Sequence, residues 1–105
     1  MHKLTKSTII SAKVKKEVWQ RDGHRCIACG SSNASPNAHV VSRAHGGLGV
    51  VKNIVTLCPE CHRKFDNGKN SEYAEVANKI FAYVLHLYPN WTAETVTFNK
   101  YGGLK

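Results

Sequence analysis

The stretch that decides the fold runs Ala38-His39-Val40-Val41-Ser42-Arg43-Ala44-His45-Gly46-Gly47-Leu48-Gly49-Val50-Val51-Lys52-Asn53-Ile54-Val55-Thr56-Leu57-Cys58-Pro59-Glu60-Cys61-His62-Arg63-Lys64-Phe65-Asp66-Asn67-Gly68. Its opening apolar run, Ala38 to Val41, suits a short strand. Gly46-Gly47-Leu48-Gly49 is a loop, and Ile54 to Leu57 reads as a second strand. Cys58-Pro59 then opens a short helix, with proline at a position where its missing N–H costs nothing. Asn67-Gly68 stops that helix. Residues 30–37, Gly-Ser-Ser-Asn-Ala-Ser-Pro-Asn, are turn chemistry throughout.

Two Cys-x-x-Cys pairs bracket the strands: Cys26 with Cys29, and Cys58 with Cys61. Each pair chelates from one tight turn, and two pairs together make the donor set of a tetrahedral structural Zn2+ site. The 28 residues between the pairs exceed the roughly 15–20 of the common pattern. That spacer holds the strand–loop–strand unit, so the metal clips the entry of the first strand to the start of the helix. Disulfides are disfavoured without a secretory context.

Outward from this unit, Ile10, Val14 and Val18 fall at helical spacing among Lys13, Lys15, Lys16 and Glu17. Ser7 or Ser11 is the candidate N-cap, and Asp22-Gly23 ends the run. On the other side, Tyr73, Val76, Ala77, Ile80, Val84 and Leu87 trace one face of a longer amphipathic helix, ended at Pro89. Trp91 and Phe98 are expected in a short return segment. The predicted class is α+β: one domain over 1–105, with a basic helix at about 8–22, a zinc-stapled ββα core at 23–69 and a helical extension at 70–105. Length agrees, since 105 residues make at most one domain, and a chain this short gains from a metal staple.

His39, Arg43, Gly46-Gly47, Asn53 and Leu57-Cys58-x-x-Cys61-His62, with the entry Trp19-Gln20-Arg21-Asp22-Gly23-His24-Arg25-Cys26, resemble the HNH endonuclease family, the zinc-bound branch of the ββα-metal nucleases. The three letters of that name fall on His39, Asn53 and His62, separated by 14 and 9 positions. The resemblance covers about residues 14–68, and Tyr88-Pro89-Asn90-Trp91 is similar to the tail of small phage-type members. It implies a metal-dependent DNA endonuclease or nickase. His39 would be the general base, Asn53 would fix the orientation of its ring, and His62 would bind a catalytic divalent cation (Mg2+, Mn2+, Ni2+ or Zn2+). Asp66, at i+4 from His62, lies on the same helix face and is a candidate second ligand. Where the family carries Asp or His directly before the base histidine as a further ligand, this chain has Ala38. Either the ion is held by His62 and Asp66 with water and phosphate, or His45 or Arg43 is recruited, or the chemistry is lost. Arg43 suits a phosphate grip, because its planar fork pairs with two oxygens.

Charge supports a polyanionic partner. Lys plus Arg outnumber Asp plus Glu by 15 to 7, a formal net charge of +8. Residues 1–25 carry seven basic against two acidic side chains, residues 26–69 five against two, and residues 70–105 are balanced. DNA is the expected partner, with Lys13, Lys16 and Arg21 of the basic helix as backbone contacts, and the chain acting as a monomer or weak homodimer. Trp19 and Trp91 are expected in the core and the glycines in loop geometry. His24 is expected to pack beside the first cysteine pair, with His2 and His86 at the surface. Met1-His2-Lys3-Leu4-Thr5-Lys6 lacks the apolar stretch of a secretory signal, and no apolar run nears the ~20 residues of a membrane helix. A cytoplasmic protein of a bacterial cell or phage-infected host is expected, with no membrane role. Two further readings stay open: a catalytically inactive zinc-stapled DNA-binding or adaptor protein of the same fold, and a cysteine–zinc protein-interaction module.

Overall fold

The computed structural model describes residues 8–97. Ser7, as an alternative cap, His2 and Phe98 lie outside them. Helix α1 spans Ala12–Arg21, and its cap is Ser11, whose side chain accepts from the Val14 N–H at 3.1 Å. Strand β1 is Ser35–His39 and β2 is Ile54–Leu57, an antiparallel pair. Helix α2 is Pro59–Asn67, capped by the Cys58 sulfur, which accepts from Cys61 N–H. Helix α3 is Ser71–Leu87, and a short turn of helix follows at Ala93–Val96.

The first strand begins earlier than its sequence suggests. Ser35 pairs with Leu57 and Ala38 with Val55, so β1 spends one more residue than β2 between those rungs. The extra residue is a bulge at Pro36-Asn37, which is how a strand accommodates a proline that has no N–H to donate. Val40 and Val41, expected inside the strand, leave it: Val40 N–H bonds the Asn53 carbonyl at 2.8 Å, and Val41 N–H bonds the Asn53 side chain.

The core lies between the sheet and the last two helices. Ala38, Val40, Val55 and Leu57 meet Phe65 of α2 and Val76, Ala77, Ile80 and Val84 of α3, all buried. Phe65 stacks parallel to Tyr73 at 5.7 Å and meets Phe81 edge-on at 6.4 Å. Phe81 in turn meets Trp91, which donates to the Lys52 carbonyl at 2.7 Å, so Trp91 takes its expected place in the return segment.

Arg21 joins three elements. Nε and one terminal nitrogen fork onto Asp22, that nitrogen also reaches the Ile54 carbonyl at 2.7 Å, and the other bonds the Val51 carbonyl and the Tyr88 hydroxyl. Asp22 also accepts from Thr56 N–H and, at 2.5 Å, from the Tyr83 hydroxyl. Burial, reinforced by that carboxylate, pushes the Tyr83 phenol up to about 12. The expectation that Arg21 contacts DNA is therefore corrected. All of its N–H donors are committed inside the protein, and the side chain is only 16% exposed.

Candidate functional site

The four cysteine sulfurs lie within 4.8 Å of one another, and Cys29 and Cys58 are 3.6 Å apart. Tetrahedral Zn2+ with sulfurs at about 2.3 Å sets neighbouring sulfurs about 3.8 Å apart, so the donor set fits the ion. Among the described residues this is the one group of three or more His, Cys, Asp or Glu able to hold a metal. Local structure pre-forms it. Burial works to raise the Cys26 thiol, yet N–H groups of Cys58, Cys29 and Ala28 aimed at its sulfur bring it down to about 7. Burial among the other sulfurs pushes the Cys61 thiol up. These four residues can hold a structural metal ion.

A second site is a cleft of about 570 Å³ whose walls include His39, His62, Asp66, Arg43, Ser42, Lys15 and Asn37. None of the cysteines lines it. His39 arrives from the end of β1, and His62 and Asp66 from α2. On that helix Cys61 and Phe65 are buried, so their register turns His62 and Asp66 outward, a further ~100° round the axis. His62 Nε2 and Asp66 Oδ2 are 2.9 Å apart. An imidazole and a carboxylate one turn apart suit a divalent cation that keeps several waters.

The His39 ring is half-buried, and its Nε2 lies 2.8 Å from the Thr8 carbonyl oxygen. A carbonyl only accepts, so Nε2 donates, and the neutral ring carries its lone pair on Nδ1. Burial holds the imidazole below its ordinary value, the Thr8 carbonyl opposes this, and the positive charge of Arg43 adds to it. Arg43 Nε in turn donates to the Thr8 hydroxyl at 3.2 Å. One residue from the segment before α1 thus positions two walls of the cleft. Thr8 was missed in the sequence, since a backbone acceptor 31 positions upstream leaves no residue signature.

Asn53 differs from expectation. It is fully buried, and its side chain accepts from Val41 N–H at 2.8 Å and donates to the carbonyls of Val41 and Leu48. It therefore braces the β1–β2 connection and does not orient the His39 ring, a role the Thr8 carbonyl fills. Gly47 packs against this brace: a Cβ there would sit 1.7 Å from the Val41 oxygen. His45 pairs through Nδ1 with Ser42 Oγ at 2.7 Å and does not line the cleft, so of the two candidate recruits only Arg43 does. Ala38 is buried in the core. Lys13 and Lys16 are exposed on α1, while Lys15 is the α1 lysine that reaches the cleft.

The HNH endonuclease family model matches residues 26–68. The chain is 33% identical over 58 residues to anaredoxin of Nostoc sp. (strain PCC 7120), a match covering 54% of this chain and 76% of that protein. No solved structure matches it. No helix among the described residues is long and apolar enough to cross a membrane.

Proposed function

The chain belongs to the HNH endonuclease family, and on that premise we propose that it hydrolyses DNA phosphodiester bonds at the His39 cleft. One observation carries the reading: His39, His62, Asp66 and Arg43 face a single cleft, with the His39 lone pair left at Nδ1. As a water oxygen attacks phosphorus, Nδ1 takes its proton, the new P–O bond forms and the bond to the 3′ oxygen breaks. The products are a 5′-phosphate and a 3′-hydroxyl, the latter protonated from solvent. The Thr8 carbonyl stays bonded to Nε2–H and steadies the imidazolium that results. Arg43 pairs with the non-bridging oxygens. A divalent cation held by His62 and Asp66 would neutralise charge on the scissile phosphate and the departing oxygen. Structural Zn2+ at the cysteines contributes folding energy and stands apart from the reaction.

The test is nicking of supercoiled plasmid in Mg2+, Mn2+ or Ni2+. Wild type converts the plasmid, while His39→Ala abolishes conversion and keeps its zinc, fold and DNA retention. Equal nicking by both proteins overturns the assignment. A second reading, a zinc-stapled DNA-binding or adaptor protein without catalysis, is favoured by Ala38, which offers no ligand before His39. It predicts DNA retention with no nicking in any of the three metals.

A further inference from the structure

Trp19 does not take the core position its sequence suggests. It is partly exposed, outside the set of residues packed against the core cluster, and its indole lies 5.0 Å from the His24 ring at 17°, a parallel stack. His24 holds that place with a left-handed backbone, φ 61°, uncommon for a residue with a side chain. Beside the indole is an open groove of about 370 Å³ lined by Lys15, Lys16, Trp19, Ala34 and Pro36. Its floor is apolar, its margin carries two ammonium groups, and among the described residues no acidic one lines it.

The groove adjoins the cleft. Lys15 lines both. At the β1 bulge, Pro36 faces the groove and the next residue, Asn37, faces the cleft. An occupant must be flat and apolar on its faces, anionic at its edge, and connected to whatever sits by His39. A base within a duplex hides its faces in the stack and would present only phosphates to the lysines. We propose that the groove is a subsite for one unpaired nucleobase of the strand whose phosphate lies in the cleft, so that the protein prefers single-stranded or locally unpaired DNA to duplex. This rests on the nuclease reading above. The base stacks on Trp19, and Lys15 and Lys16 take the flanking phosphates.

The experiment measures fluorescence anisotropy of a labelled oligonucleotide, single-stranded and as its duplex, with the full zinc-loaded chain carrying His39→Ala to prevent cutting. The single strand binds more tightly. Trp19→Leu, apolar but without a π face, weakens single-strand binding roughly tenfold, the loss of one base–aromatic stack, and leaves duplex binding within about twofold. Trp19→Phe keeps most of the single-strand affinity. Unchanged duplex binding shows that the Leu variant is folded. Equal loss on both forms, or no loss on either, overturns the subsite while plasmid nicking by wild type still upholds the nuclease. No binding of either DNA form by the parent protein overturns both.

Discussion

His39 is neutral over a wider pH range than an ordinary imidazole. Burial comes first among the causes and the nearby Arg43 charge adds to it, against the Thr8 carbonyl. A base works in its deprotonated form, so nicking holds as pH falls through the usual imidazole value of about 6.5 and fails only below it. The same lowered value means that His39 adds stability above about pH 6.5, which is lost as pH drops through its folded value. Arg43→Gln removes one cause, and the acid limb of the nicking profile moves up toward the ordinary imidazole as the rate falls. Arg21 belongs to stability instead. Arg21→Ala strands the buried Asp22 carboxylate and three other acceptors, a cost on the order of 3–5 kcal/mol, seen as a fall in Tm of more than about 10 °C. From sequence, Arg21 read as one more cation on a basic helix, because its partners, Val51, Ile54 and Tyr88, come from distant positions that only folding brings near. Cys26, Cys29, Cys58 and Cys61 were legible because spacing alone defines a chelate. The role of Asn53 was not, because a carboxamide satisfies a backbone loop as readily as an imidazole.

Helix α2 links the two sites. Its first turn carries Cys61, Phe65 seats it in the core, and His62 and Asp66 take their orientation from that register. Purified protein is expected to contain about one tightly held zinc per chain, checked by metal analysis. Strong chelation that strips it unfolds the core, read by circular dichroism, whereas mild chelation stops nicking alone. Finding two disulfides and no zinc would contradict this architecture. On α1 the exposed Lys13 and Lys16 face solvent. Replacing either with alanine lowers duplex affinity and reduces the slope of log K against log salt by about 0.9 per lysine, measured by titration over a range of salt. Ser11, Pro59 and the Val76–Ile80–Val84 face stand where caps and period put them, but the basic helix begins at Ala12 and not at about residue 8, so Ile10 precedes it and is not part of its face. The start of β1 was not legible, since a bulge lets Pro36 sit in a strand against its local preference.

The described residues hold one His39–His62 cleft per chain. On the nuclease reading, each encounter is expected to cut one strand, so supercoiled plasmid should pass through the open circle before any linear form, a sequence that a time course on an agarose gel resolves. The basic excess of the first two-thirds and the neutral C-terminal third agree with this division of labour. Helix α3 buries Val76, Ala77, Ile80 and Val84 against the core, and its Tyr83 locks Asp22. The Thr8 carbonyl carries a practical consequence. It reaches His39 from ahead of α1, and the Ile9 backbone beside it runs so close to Gly49 that a Cβ there would lie 2.1 Å from the Ile9 oxygen. Gly49→Ala would push that segment aside, and the His39 imidazole would lose the acceptor that fixes its tautomer while the cysteine cluster keeps its own place.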